Sequence, residues 1–187
     1  MTPDPLPEVL SSERVYEGRV FDIDHDSIRF PDGVEAMRAT VRHPGAVALV
    51  VIDDDGRWLL VEQYRHPAGQ RLLEVPAGTR EPGEEPDVTA HRELREETGY
   101  DADSLVRIGG AWMAPGFTSE YIDFYLATGL REAPLDTGDE EDLGAPIPYT
   151  REAIEAAVAS GEIEDAKTLV ALQLYELHTR RGAAAAG

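Results

Sequence analysis

Runs and alternations of apolar residues divide this 187-residue chain into strands and helices. Ala46 to Ile52 is an unbroken apolar run, which is typical of a strand buried on both faces. Asp53-Asp54-Asp55-Gly56 follows it and predicts a hairpin turn, although three aspartates are also compatible with a metal site. We expect further strands at Trp58 to Tyr64, Leu72 to Val75, Leu105 to Met113 and Tyr121 to Thr128, and helices over 151–160 and 165–179.

The first 43 residues have a different pattern. Residues 1–12 contain three prolines and scattered acids, so we expect a flexible tail. Residues 13–43 contain short alternating stretches around Pro31-Asp32-Gly33, which predicts an antiparallel strand segment whose first strand is Val15 to Val20. The main domain is expected over 44–180, followed by a second flexible tail over 181–187.

Charged residues and candidate catalytic groups are concentrated between Gly78 and Tyr100, in the stretch GTREPGEEPDVTAHRELREETGY. Pro86 suits the first turn of a helix and Gly99 suits its C-terminal stop. On that helix Glu93 and Glu97 share a face, with Glu96 beside them, and these like charges repel. An Arg92–Glu96 pair is expected to recover only roughly 0.2–0.5 kcal/mol. The face is therefore either a solvated acidic surface or a site for a divalent cation.

The spacing within this stretch resembles a known signature. Gly78, then Glu84, then the run Arg92-Glu93-Leu94-x-Glu96-Glu97-x-Gly99-Tyr100 match every specified position of the Nudix box. The chain thus resembles the Nudix hydrolases. The resemblance implies an α/β (α+β) Nudix fold, an α/β/α sandwich around a mixed sheet, to which the N-terminal antiparallel strands are added.

Carboxylates grouped on one helical face suit a hard, oxygen-seeking cation such as Mg²⁺, for which Mn²⁺ is a substitute. The implied chemistry is metal-assisted attack of water on a phosphoryl centre. Glu84 either touches the metal or orients the helix, and we favour orientation; we expect Arg92 to hold a box glutamate in place. The expected metal ligands are Glu93, Glu96, Glu97 and the Ala77 carbonyl, with Glu93 and Glu97 as the principal catalytic ligands.

Two features outside the box resemble ADP-ribose pyrophosphatases in particular. One is the stretch 114–120, APGFTSE, and the other is Gln63-Tyr64-Arg65 followed by LEVPAG. By this resemblance Arg65 contacts the diphosphate or terminal ribose, and Pro115, Gly116 and Glu120 face the substrate. The alternatives are a surface ion pair for Arg65 and a strand-edge charge for Glu120.

The general base is expected outside the box, because in this branch a glutamate from a later loop activates the water. The acidic stretch 139–143 is the only suitable loop. Alignment from Gly161-Glu162-Ile163 favours Glu141 as the catalytic base, with Glu140 second. The alternative is a solvated acidic loop that takes no part in catalysis.

The resemblance implies Mg²⁺-dependent hydrolysis of ADP-ribose to AMP and ribose 5-phosphate by a homodimer that pairs through residues 13–43. One alternative is the same chemistry on another nucleotide sugar, such as GDP-mannose. An alternative of another class is a Nudix-fold sensor that binds a nucleotide without catalysis. The intact box, the lack of a spare domain and the lack of a basic patch disfavour the sensor.

Composition narrows the partners and the compartment. Acidic residues outnumber basic ones by 37 to 17, and the net charge of −20 argues against nucleic acid or an anionic membrane as partner. The absence of cysteine excludes disulfides and thiolate metal sites. No apolar run reaches the ~18 residues of a membrane helix and the N-terminus lacks a basic leader region, so we expect a cytoplasmic enzyme.

Overall fold

The computed structural model describes residues 4–135 and 144–185. By its internal contacts the chain forms two compact units. The N-terminal unit comprises Met1–Gly45 and Trp112–Tyr121, and the larger unit comprises Ala46–Ala111 and Ile122–Gly187. Both units contain strands, and α-helices are observed in the larger unit, which confirms the predicted α+β class.

The N-terminal unit contains the predicted antiparallel segment. Its strands are β1 (Glu8–Glu17), β2 (Asp22–Arg29) and β3 (Glu35–Arg42), in the order β1-β2-β3. The turn at 31–33 is present, and Gly33 has a φ of 87°, which a residue with a side chain rarely adopts.

The first strand begins earlier than expected. It starts at Glu8 rather than Val15, so that residues 8–12 of the expected tail pair with β2, for example Ser12 with Asp26. The last of the three N-terminal prolines is Pro7, and proline has no N–H to donate within a sheet. The residues that follow Pro7 have no such restriction and pair with β2.

The larger unit is built on a mixed sheet and a smaller antiparallel one. The strands are β4 (Ala46–Val51), β5 (Trp58–Arg65), β6 (Gln70–Glu74), β7 (Ala77–Thr79), β8 (Tyr100–Trp112), β9 (Tyr121–Glu132) and β10 (Ile147–Tyr149). In the mixed sheet, with the order β7-β4-β9-β8, β4 runs parallel to β9 and antiparallel to β7. The smaller sheet has the order β10-β5-β6.

The central strand β4 is buried along its whole length, which confirms the interpretation of its apolar run. The turn after it is also as predicted, since the Gly56 N–H donates to the Asp53 carbonyl at 2.9 Å. On the mixed sheet a core of buried residues includes Leu49 and Tyr125 together with Ala90 and Leu94. Burial of this apolar stripe fixes the orientation of the helix that carries the box glutamates.

The helices are α1 (Pro86–Thr98), α2 (Arg151–Ser160) and α3 (Ala166–Ala185). Helix α1 has the predicted ends, with Pro86 at its first position and Gly99 in the left-handed conformation after its last turn. Helix α3 is longer than expected and includes residues 181–185 of the expected C-terminal tail. Within the described residues, no helix is long and apolar enough to span a membrane.

Candidate active site

The short strand β7 approaches the box helix at Gly78. A Cβ atom added to Gly78 would overlap the carboxylate of Glu93, so a side chain at this position would force that carboxylate or strand β7 to move. One residue earlier, the Ala77 N–H donates to Oε2 of Glu97 at 2.9 Å. Strand β7 thus accommodates one box carboxylate and binds another through its backbone.

Arg92 connects the box glutamates. Its Nε and Nη2 donate to the two carboxylate oxygens of Glu84 at 3.1 and 3.0 Å. Its Nη1 donates to both Glu93 at 2.6 Å and Glu96 at 2.9 Å, and Nη2 also reaches the Thr79 carbonyl at 3.1 Å. The Arg92–Glu96 pair was expected, but the same guanidinium balances more of the acidic cluster than sequence spacing indicates.

Glu84 is held by several donors at the start of the helix. Besides Arg92, it accepts hydrogen bonds from the Thr89 hydroxyl at 2.9 Å and the Glu81 N–H at 3.1 Å. The hydrogen bonds from Arg92 lower the pKa of Glu84 to about 2, although burial opposes this shift. These contacts suit an orienting role for Glu84 and keep it ionised at all ordinary pH values.

The donor chemistry of the cluster fits a hard divalent cation. Glu93 and Glu97 are each 6% exposed, and carboxylate oxygens are the ligands that Mg²⁺ prefers. Within residues 4–135 and 144–185, no three acidic or histidine side chains converge on one point. The carboxylates of Glu93 and Glu96 instead share a hydrogen-bond donor, because Arg92 Nη1 contacts both of them. The carboxylates suit a cation, and Arg92 partly balances their charge without one.

Comparison with known proteins decides the family. The NUDIX domain model matches residues 41–179. The chain belongs to the Nudix family. The predictions of a Nudix fold and of a Nudix hydrolase are thereby confirmed, and hydrolases of this family generally need a divalent metal.

Several relatives within the Nudix family cover most of this chain. It is 37% identical over 172 residues to the ADP-ribose pyrophosphatase of Bacillus subtilis (strain 168), covering 91% of this chain and 92% of that protein. It is also 37% identical over 171 residues to the methanol dehydrogenase activator of Bacillus methanolicus, covering 91% and 92%. A GDP-mannose pyrophosphatase of Yersinia enterocolitica serotype O:8 / biotype 1B (strain NCTC 13174 / 8081) is 35% identical over 147 residues, covering 73% and 75%.

A solved structure supports the same fold. The crystal structure of an ADP compounds hydrolase superposes with a TM-score of 0.81, covering 94% of this chain and 95% of that one. Its sequence identity is 23%, so this likeness supports the fold alone.

Arg65, expected to contact substrate, forms an ion pair with a buried carboxylate of the Nudix domain. Its Nε and Nη2 donate to the two oxygens of Glu74 at 2.9 and 2.6 Å. The Glu74 side chain is 1% exposed, whereas that of Arg65 is 37% exposed. Glu74 raises the pKa of Arg65, and the charge of Glu97 contributes to the same shift. Arg65 is therefore held by Glu74 while its side chain remains partly open to solvent.

Three expected substrate residues belong to the N-terminal unit. Pro115 and Gly116 form a turn in which the Phe117 N–H donates to the Ala114 carbonyl at 3.1 Å. Glu120 follows, and its N–H donates to the Thr118 hydroxyl at 3.1 Å.

The expected base, Glu141, and the second choice, Glu140, lie outside the described residues.

The sequence did not single out Lys167 or Thr168 at the start of α3. The ammonium of Lys167 donates to Glu74, and the Val75 N–H donates to the Thr168 hydroxyl at 2.9 Å. Both contacts join residues 93 positions apart. The available local signal was Asp165, which accepts from the Thr168 N–H at 2.9 Å and so caps the helix.

Proposed function

We propose that the protein is a Mg²⁺-dependent hydrolase that cleaves the diphosphate of ADP-ribose to AMP and ribose 5-phosphate. The observation that carries the proposal is the cluster of box carboxylates, in which Arg92 contacts the buried Glu93 and the half-buried Glu96, with Gly78 leaving room for Glu93. The choice of ADP-ribose is supported by likeness to the Bacillus subtilis enzyme over 91% of the chain.

The metal would be held by Glu93, Glu96, Glu97 and the Ala77 carbonyl. When bound, Mg²⁺ neutralises charge on the phosphoryl oxygens and favours deprotonation of water. The protein's own part is to orient these ligands: the Ala77 N–H holds Glu97, and Arg92 holds Glu93 and Glu96. Hydrogen bonds of this kind orient the carboxylate ligands for binding of the metal ion.

Arg65 would bind the substrate diphosphate, because a guanidinium offers several donors in a fixed plane that match phosphate oxygens. Two of its nitrogens are committed to Glu74, which fixes the plane of the guanidinium. Pro115 and Gly116, in their turn, and Glu120, just before β9, would face the substrate. Glu141 would act as the base that takes a proton from the attacking water.

A homodimer would complete the functional unit. The N-terminal unit presents large apolar side chains to solvent, including Val9 at 63%, Met37 at 62% and Phe117 at 60% exposure. Exposed apolar side chains that form a contiguous patch are typical of protein interfaces, and we propose that these belong to one. Light scattering at assay concentration should find a dimer. Because β1 starts at Glu8, removal of residues 1–7 should preserve it, whereas removal through Phe30 should abolish it.

The same chemistry on GDP-mannose is the second candidate, supported by the likeness to the Yersinia enzyme. A panel of nucleotide sugars with Mg²⁺, scored by release of phosphomonoester, separates the two. We expect ADP-ribose to give the highest kcat/KM, and Glu97→Gln to lower release from every substrate by about a hundredfold or more. Tight nucleotide binding with no release from any of them would instead support the non-catalytic sensor.

A further inference from the structure

The chain contains a single lysine among its 17 basic residues, and this lysine is buried. Lys167 is 9% exposed and lies between two carboxylates, donating to Glu74 and standing 3.1 Å from Asp165. Charged side chains at this depth are uncommon unless they are paired. A lysine ammonium is a compact point charge with three donors, which suits a position between two acids.

Glu74 is shared between Lys167 and Arg65. Taken alone, the Arg65–Glu74 pair has no net charge, and a neutral pair attracts an anion weakly. Lys167 supplies a second positive charge to the same carboxylate. Asp165 lies 3.1 Å from the Lys167 ammonium, so the four groups together carry no net charge, whereas without Lys167 they would carry a charge of −1. Asp165 is also hydrogen-bonded to the Thr168 N–H and hydroxyl at 2.9 and 2.7 Å.

The same turn of α3 also holds the backbone that leads to the box. The Val75 N–H donates to the buried Thr168 hydroxyl at 2.9 Å. Two residues further along, the Ala77 N–H donates to Glu97 at 2.9 Å. Helix α3 therefore anchors the short segment that carries both the Arg65 partner, Glu74, and the backbone donor to a box glutamate.

We propose that Lys167 is a positioning residue that acts through Glu74: by sharing that carboxylate it keeps Arg65 oriented and only partly neutralised, so that Arg65 can bind the diphosphate of the substrate. The inference rests on the proposed function, in which Arg65 contacts that diphosphate. In the absence of Lys167, Glu74 has Arg65 as its cation partner and neutralises it more fully. The consequence is weaker binding of an anionic substrate rather than slower chemistry.

A double-mutant cycle on turnover of ADP-ribose tests this role. Lys167→Met keeps the length of the side chain and removes its charge, and should raise KM by about tenfold with kcat within about twofold of the wild type. Lys167→Arg should restore KM to within about threefold. If Lys167 acts through Arg65, the double variant Arg65→Met/Lys167→Met should bind no more weakly than Arg65→Met alone. Multiplied losses in the double variant, or a fall in kcat at unchanged KM, would overturn the proposal.

A second measurement does not depend on turnover or on the folding of a Lys167 variant. Protein labelled with ¹⁵N-lysine has one side-chain Nζ signal, because the chain has one lysine. Saturation with ADP in the presence of Mg²⁺ should shift that signal in the wild type and leave it unmoved in Arg65→Met. An unmoved wild-type signal at saturation overturns the inference. Absence of hydrolysis across the nucleotide-sugar panel, with the Nζ shift intact, refutes the proposed function alone.

Discussion

The Cβ position of Gly78 coincides with the carboxylate of Glu93, so the two residues cannot both keep their places if position 78 gains a side chain. We expect Gly78→Ala to displace Glu93 or strand β7 and to lower kcat/KM by about a hundredfold, since small misplacements of catalytic groups cost that much. The measurement is steady-state hydrolysis of ADP-ribose with Mg²⁺.

Gly182→Ala is the matched control for this change. A Cβ at Gly182 has nothing within 4 Å, and the residue lies inside α3. Alanine there should stabilise the helix by roughly 0.5–1 kcal/mol and leave activity unaltered. Full activity in Gly78→Ala would show that the close approach to Glu93 has no catalytic role.

Glu97→Gln separates a catalytic role of the box from a structural one. Glutamine retains an oxygen that can accept from the Ala77 N–H, so the free energy of unfolding without metal should change by no more than about 1 kcal/mol. Loss of the charged ligand should lower kcat by about a hundredfold or more. Glu155→Gln, at an exposed helical glutamate paired with Arg151, is the control and should alter neither quantity.

Repulsion between the box glutamates, considered from their spacing in the sequence alone, predicts that neutralising one of them stabilises the metal-free protein. The structure changes this expectation, because Arg92 donates to Glu84, Glu93 and Glu96 and balances much of their charge. Denaturant unfolding of the metal-free Glu97→Gln variant measures whether its free energy of unfolding rises or stays the same. Severe destabilisation would mean that the glutamate cluster holds the fold, and its catalytic interpretation would lose its main support.

Local signals in the sequence were sufficient for much of the fold. The apolar run of β4, the Asp-Gly turn after it, and the proline and glycine that bound α1 each act through neighbouring residues. The start of β1 was not predicted, because membership of a sheet depends on pairing with β2 rather than on the strand's own residues.

In the candidate site, too, the residues that local spacing predicted differ from those that depend on long-range contacts. The box glutamates and Arg92 lie on a single helix and the segment before it, so their spacing alone predicted the cluster. Lys167 and Thr168 contact residues 93 positions away, and no local pattern in α3 indicates such contacts. Arg65 was expected to face substrate, with an ion pair as the alternative, and its contacts with Glu74 are compatible with both.

The pH dependence of stability should report the pairing of Glu84 with Arg92. The hydrogen bonds from Arg92 lower the pKa of Glu84 to about 2, from an ordinary value of 4.5. A lowered folded-state pKa contributes stability that is fully present above pH 4.5 and is lost as the pH falls towards 2. The side chain is 11% exposed, and the contribution is at most about 3 kcal/mol. Chemical denaturation from pH 6 to pH 2.5 should show it.

Glu84→Gln is the comparison for this measurement. Because glutamine does not titrate, the variant should be less stable than the wild type at pH 6 and should approach it as the pH falls. A constant difference between the two proteins across that range would mean that Glu84 is not held at a depressed pKa.

The last prediction concerns the base. Charge stabilisation by the metal still leaves the attacking water to be oriented and deprotonated, and a general base contributes typically about 10²–10⁴-fold. Glu141→Gln should therefore lower kcat by about that factor while KM for ADP-ribose and the Mg²⁺ requirement stay nearly unchanged. Glu140→Gln is the neighbouring control and should be much milder. A large effect of Glu140→Gln would transfer the role to that residue. If both variants keep full single-turnover rates, the base lies elsewhere, among Glu84, Glu96 and Glu120.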